Sequence, residues 1–226
     1  MTPTTHEQAR RKLIPEMEGA SARRYAKLRG TDPQLQAYRR EAAQIAEHLT
    51  DGAAILEVAP GPGYFAVELA KLGPYHVTGV DVSATFVAFA QQLAERVGVA
   101  VDFRQGDVAA MPFDDGQFDL IVCQAAFKNF SQPLTAINEM HRVLRPGGRA
   151  IIQDMSADAT GPAIKDEVAG MRVGRLAGLT TRMILIGLRR RAYSAPQFEQ
   201  LAERSEFGAA TVKVDGIGLE VTLLKA

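Results

Sequence analysis

The chain has 226 residues, 46% of them hydrophobic and 23% charged, with 26 Lys/Arg against 26 Asp/Glu. That composition suits a globular domain with a substantial core, and its zero net charge gives no global bias towards nucleic acid. No run approaches the ~20 apolar residues of a membrane span, and the single cysteine, Cys123, excludes an internal disulfide and argues against a metal cluster.

The N-terminus, "MTPTTHEQARRKLIPEMEG", lacks a long apolar stretch, so no signal peptide is expected and the cytoplasm is the default compartment. Residues 5–50 read as helices. "YRREAAQIAEHL" spaces Ala42, Ile45, Ala46 and Leu49 along one face, with His48 near its end. "RGTDPQ" breaks the region: Thr31 or Asp32 suits an N-cap, and Pro33 suits a first turn.

From Ala53 the pattern changes. Apolar runs "AAILEVA", "YHVTGVD", "VDFRQGD", "FDLIVCQ" and "RAIIQDM" read as strands. They alternate with the helical stretches "YFAVELAKLG", "ATFVAFAQQLAERVG" and "PLTAINEMHRVL", the last stopped by "RPGG". This rhythm predicts βαβ units and a parallel sheet. Cys123 lies inside the fourth run and reads as core.

After Met155 the rhythm breaks. Residues 156–191 read as an insertion of one or two helices, with seven Lys/Arg against two Asp/Glu between 165 and 191. "SAPQFEQLAER" reads as a helix capped by Ser194, and "AATVKVDG" with "GLEVTLLKA" as an antiparallel hairpin turning at "DGIG". The expected fold is an α/β, Rossmann-like, doubly wound sheet. It has seven mostly parallel strands, an antiparallel C-terminal hairpin strand, a helical N-terminal cap and a helical insertion after the fifth strand. One domain is expected over 1–226. Its parts are a cap (1–50), a ligand-binding core (51–155), a lid insertion (156–191) and a C-terminal helix and hairpin (192–226).

The turn "EVAPGPGYF", Glu57 to Phe65, joins the first strand to a helix, where α/β proteins hold ligands. It fits a dinucleotide fingerprint poorly. With the first two glycine positions on Ala59 and Gly61, Tyr64 stands where the third belongs. With them on Gly61 and Gly63, Ala66 does. Pro60 and Pro62 offer no N–H to a pyrophosphate, and no phosphate loop of the G-x-x-x-x-G-K-[ST] kind is present.

Three acids follow successive strands: Glu57, Asp81 and Asp107. In a parallel sheet they share the C-terminal edge. A carboxylate like Asp81 can accept from both hydroxyls of a ribose, one like Asp107 from an adenine amino group, and one near the glycine turn can offset a positive charge. A ligand with ribose, adenine and a cationic tail fits, and S-adenosylmethionine is one. Each acid alone also reads as a cap of the next turn.

The stretches "ILEVAPGPGYFAVELA", "VTGVDVS", "GDVAAMPFDDGQFDLIVCQAAFKNF" and "EMHRVLRPGGRAIIQD" resemble class I S-adenosylmethionine-dependent methyltransferases of the small-molecule branch, which includes quinone and natural-product methylases. The resemblance covers nearly half the chain. It implies that Glu57, Ala59, Gly61 and Gly63 border the methionine end of the cofactor. Asp81 would hold the ribose, with Val82 against the adenine. Asp107 and Val108 would bind the adenine edge, and Gln124 and Ala125 would lie beside the sulfonium. Phe113 and Phe118 would pack in the connection into the fourth strand. The sequence departs from the family at Ala59, where glycine is usual, and at "FKNF", where many relatives carry a histidine pair. An alanine at 59 costs little if its φ is negative. Lys128 is expected to be a solvated loop residue pointing away from the sulfonium.

No general base stands out, and the catalytic residues are unassigned. His141 reads as a helix-surface residue and His76 as structural; His6 and His48 fall in the N-terminal helices. Of Tyr25, Tyr38 and Tyr193, Tyr25 is favoured as a pocket residue. In this family the acceptor is enclosed by the N-terminal helices and the insertion. "GRLAGLTTRMILIGLRRRAY", apolar with basic residues at both ends, therefore reads first as a lid over a lipophilic acceptor and second as a helix lying on a membrane surface. The expected partner is a small-molecule methyl acceptor, with no nucleic acid, no stable membrane insertion and no metal; a homodimer is compatible. The alternatives are a protein that binds S-adenosylmethionine without transferring methyl, or one that uses it electrostatically for rearrangement or cyclisation.

Overall fold

The computed structural model describes residues 17–171 and 174–226; the helical expectation for residues 5–16 and His6 lie outside the described residues. Seven strands form one sheet in the order β3-β2-β1-β4-β5-β7-β6. They are β1 Ala54–Val58, β2 His76–Asp81, β3 Val101–Gln105, β4 Phe118–Gln124, β5 Leu144–Met155, β6 Thr211–Asp215 and β7 Gly218–Leu224. β1 to β5 run parallel, β7 pairs antiparallel with β5, and β6 pairs antiparallel with β7. The expected hairpin thus closes the sheet's far edge. The strand order reverses between β1 and β4, and the crevice beyond their C-terminal ends is where such sheets bind ligands.

β1 and β4 read as near-continuous apolar runs because both their faces are covered. On one face lie α5 (Pro133–Val143) and α8 (Ala195–Glu203), which bury Ile137, Met140, Phe198 and Leu201 against Leu56, Ile121 and Ile152. On the other lie α2 (Asp32–Ala46), α3 (Tyr64–Ala70) and α4 (Ala84–Val97). These bury Ile45, Phe65, Leu69 and Ala90 against Ile55, Val77 and Val122. Cys123 is fully buried, and burial pushes its thiol well above the usual range. Phe113 and Phe118 meet edge to face at 5.1 Å, as the connection between β3 and β4 was expected to pack.

The helix signals translate into particular caps. Ser194 forms a capping box: its Oγ accepts from Gln197 N, and Gln197 Oε1 accepts from Ser194 N. Thr31 takes the N-cap position of α2 without a side-chain bond, and Pro33 falls in the first turn. α2 ends at Ala46, so His48 lies in the turn beyond it rather than in the helix. The "RPGG" stop lies inside β5: its pairing with β4 jumps from Leu144 opposite Phe118 to Arg149 opposite Leu120, and Arg145–Gly148 bulge between.

The N-terminal cap consists of α1 (Gly19–Arg29) and α2, and the insertion contains α6 (Gly161–Gly170) and α7 (Arg175–Arg189). α1 is fastened across the mouth of the sheet's crevice. Glu18 accepts from Thr85 at the start of α4, Ser83 Oγ donates to Met17 O at 2.7 Å, and Tyr64 Oη donates to Ala26 O at 3.0 Å.

Candidate active site

The turn after β1 is held by the strand beside it. Gly61 N–H donates to Asp81 Oδ2 at 2.9 Å, Ala59 N–H to Val80 O at 2.8 Å, and Gly63 N–H to Pro60 O at 3.1 Å. Ala59, Gly61 and Gly63 all adopt left-handed backbone, with φ of 56°, 54° and 79°. The condition under which alanine at 59 costs little is therefore not met: the turn holds three left-handed residues, and one carries a Cβ that costs about 1 kcal/mol there. Gly63 is required for a second reason. A Cβ on it would lie 2.7 Å from Ala90 Cβ and 2.8 Å from Phe103 Cζ, so its absence lets α4 and β3 close on the turn.

Asp81, at the end of β2, is 6% exposed. Its Oδ1 accepts from Ser83 N–H at 2.9 Å, while Oδ2 takes Gly61 N–H. Burial raises its pKa, and the two amide donors oppose that rise. The carboxylate ties β2 to the glycine turn and keeps further lone pairs for hydroxyl donors. Asp107 is exposed beyond β3, with Oδ1 accepting from Ala109 N–H.

These residues border a cavity of about 430 Å³ at the C-terminal edge of β1, β2 and β4, within the range of small-molecule sites. Of the eleven candidate residues, Tyr25, Ala59, Gly61, Asp81, Val82, Asp107, Val108, Gln124 and Ala125 line it. Glu57 and Gly63 do not. Glu57 is buried beneath the turn, where its Oε2 accepts from Ala66 N–H at 3.0 Å in the first turn of α3. Burial pushes its pKa up to about 8, and its carboxyl sits beneath the turn rather than in the cavity wall.

Tyr25 packs edge to face on Phe86 at 5.7 Å, over the glycine turn. Tyr38 and Tyr193 are not in the wall. Tyr38 accepts from Arg29 Nε at 2.8 Å, and Tyr193 packs against Phe127 and Phe198 in the core. Gln124, at the end of β4, donates to Gln153 Oε1, which begins a chain of amides running to Glu220.

Lys128 corrects an expectation. It is buried rather than solvated: Nζ lies 2.7 Å from Asp154 Oδ1 and donates to Ala125 O. Asp154 also accepts from Lys128 N–H and Met155 N–H. The pair tethers the segment after β4 to the end of β5 and holds Ala125, itself at φ 54°. The ammonium is thus matched by a carboxylate inside the protein.

Several wall residues lie outside the motif stretches: Met17, Arg29, Phe86 and Leu188. Arg29 ends α1, and only the folding of α1 over the crevice brings it to the cavity. None of the described histidines lines the cavity; His141 lies against Phe207 at 4.8 Å, half-buried, with its pKa lowered by burial.

The donor set separates two ligand classes. A pyrophosphate needs free N–H groups at the turn. Here the amide of Gly61 is taken by Asp81 and that of Gly63 by Pro60 O, and Pro60 and Pro62 have none. Acceptors for hydroxyl and amino groups, between the apolar walls of Val58, Val80, Val82 and Phe86, fit a nucleoside with a cationic tail instead.

Comparison with known proteins agrees. Residues 56–152 match a family model described as a methyltransferase domain. A demethylmenaquinone methyltransferase of Deinococcus radiodurans is 32% identical over 166 residues, covering 70% of this chain and 67% of the relative. A ubiquinone/menaquinone biosynthesis C-methyltransferase of Roseobacter denitrificans is 34% identical over 108 residues, 46% of this chain and 43% of the relative, so the chain spans less than half of that protein. In structure, a SAM-dependent methyltransferase from Aquifex aeolicus superposes with a TM-score of 0.68 at 19% identity, over 91% of this chain and 98% of that one, which shows the shared fold. The chain belongs to the class I S-adenosylmethionine-dependent methyltransferases.

Proposed function

We propose that the protein transfers a methyl group from S-adenosylmethionine to a small, lipophilic, aromatic acceptor of the quinone type. The observation that carries this reading is the single cavity in which Asp81, Asp107 and the glycine turn share a wall with Phe130, Ala126 and Leu188. Cofactor and acceptor would therefore occupy adjoining ends of one space. The names of the two curated relatives point to the same acceptor class.

In this reading Asp81 accepts from the ribose hydroxyls, and Asp107 with Val108 takes the adenine edge. Val82 packs on the base, and the glycine turn lies along the methionine portion. Arg29, the cation at the end of α1, pairs with the carboxylate of that portion. Glu57 acts from beneath, by fixing the start of α3. Tyr25 and Phe86 close the cavity over the turn. The bound cofactor supplies an electrophilic methyl on a sulfonium. The chain's part is to align the acceptor with it and exclude water, which can account for much of the rate. A base is needed only if the acceptor must lose a proton in the transfer, and this reading assigns that role to no residue.

The cap, core, lid and C-terminal parts act as one domain in this account, at work in the cytoplasm. The test is a methyl-transfer assay with labelled S-adenosylmethionine and reduced quinones, phenols and amines. Label in a quinol or phenol product supports the reading. Tight cofactor binding with no transfer to any of these acceptors would favour a protein that binds S-adenosylmethionine without methylating.

A further inference from the structure

α7 has two opposed faces, and among the described residues only one is covered. Leu185, Ile186 and Leu188 pack inward on the cluster of Met155, Ile164 and Ala192. On the other side Leu176, Leu179, Met183 and Ile184 are 82%, 62%, 68% and 57% exposed. At about 100° per residue these four fall in one stripe along the helix. Contiguous large apolar side chains are uncommon on a surface that meets only water.

The charge around the stripe is one-sided. Between Val168 and Phe198 the sequence has six arginines and no Asp or Glu, in a chain of zero net charge. Arg190, just past the helix, shares the azimuth of Leu179 and Met183, and Arg182 flanks the stripe; both are exposed. Arg189 is tied inward, donating to Ala159 O at 2.9 Å. Of the insertion's acids, Asp166 and Glu167 line a separate hollow beside Gly216 and Ile217, and Asp158 accepts from Ala195 N–H.

We infer that α7 is a surface-docking helix for an anionic lipid bilayer. Leu176, Leu179, Met183 and Ile184 enter the boundary between headgroups and acyl chains, while Arg182 and Arg190 meet lipid phosphates. A second copy of the chain fits less well. A two-fold contact would set this face against itself and pair two arginine-bearing surfaces, with no Asp or Glu between Val168 and Phe198 to balance them. Among the described residues no helix is long and apolar enough to cross a membrane, so the contact is peripheral. α7 also reaches the cavity, because Leu188 lines it. If the function proposed above holds, docking would set the cavity's acceptor end near a bilayer in which a lipophilic acceptor dissolves. The docking itself does not depend on that reading.

The test is sedimentation of the full chain with vesicles of phosphatidylcholine, with and without about one-third phosphatidylglycerol. S-adenosylmethionine binding is titrated on the same samples. The inference predicts binding to the anionic vesicles that weakens with salt. Leu179→Asp with Met183→Asp should lower it by roughly tenfold or more, and Arg182→Gln with Arg190→Gln by a similar factor. Both pairs alter exposed side chains, so melting temperature and cofactor affinity should stay at the wild-type values. Equal sedimentation with neutral and anionic vesicles overturns the inference. So does a stable dimer that Leu179→Asp dissociates, since the face would then serve self-association. Loss of cofactor binding with vesicle binding intact would count against the proposed function alone.

Discussion

Lys128 and Asp154 form a buried ion pair at the C-terminal edge of the sheet, with Nζ 2.7 Å from Oδ1 and side chains 6% and 3% exposed. The lysine comes from the segment after β4 and the aspartate from the end of β5, so the pair spans the crevice floor beside Ala125. Removing one partner leaves the other charge buried and unmatched, which typically costs 3–5 kcal/mol. Lys128→Met should therefore destabilise the fold by about 3 kcal/mol in urea titration. Combining it with Asp154→Asn should recover most of that loss, because the neutral side chain still accepts from the backbone. Additive losses in the double variant would show that the two residues act independently.

Glu57 makes stability depend on pH. Its folded pKa is about 8 against an ordinary 4.5, chiefly because it is buried. Between those values the folded state holds a proton that the unfolded chain releases. Stability is thus fully present below pH 4.5 and is lost as pH rises towards 8, by about 1.4 kcal/mol per unit for one group. Glu41 and Asp81, also raised by burial, contribute with the same sign. Glu57→Gln keeps an acceptor for Ala66 N–H and should flatten this decline in denaturation curves measured from pH 5 to 8. A variant as steeply pH-dependent as the wild type would remove Glu57 from the explanation.

Ala59 offers a test of backbone strain. With φ at 56°, its Cβ is unfavourable, and glycine relieves it. Glycine also loosens the unfolded chain, which offsets part of the gain. Ala59→Gly is expected to lie between no change and about 1 kcal/mol more stable, while Ala59→Val should lose more than about 1 kcal/mol. Thermal melts decide it; a clear loss on Ala59→Gly would mean that the methyl's packing outweighs the strain.

What the sequence reveals follows from which interactions are local. The alternation of β1 to β5 with helices is written in hydrophobic period, so sheet, hairpin and insertion could be read directly. Asp81 and Asp107 were legible because strand ends share an edge in any parallel sheet. Lys128 was misread because its partner, Asp154, lies 26 residues away, and nothing near "FKNF" announces a buried carboxylate. Arg29 was missed for the same reason: its place in the wall depends on how α1 crosses the crevice. Glu57 was read as a charge, but its chemistry is set by burial, which a strand-end position does not reveal.

Asp81 is the residue on which the account depends most. It fastens the glycine turn through Gly61 N–H and is assigned to the cofactor's ribose. The most direct measurement is calorimetric titration of S-adenosylmethionine, with NAD as the comparison, into the wild type and Asp81→Ala. The account predicts micromolar binding of S-adenosylmethionine alone, weakened more than about tenfold by the substitution, since about 1.4 kcal/mol per decade is less than two charged hydrogen bonds contribute. Unchanged affinity in a folded Asp81→Ala protein, or binding of NAD in place of S-adenosylmethionine, would contradict it.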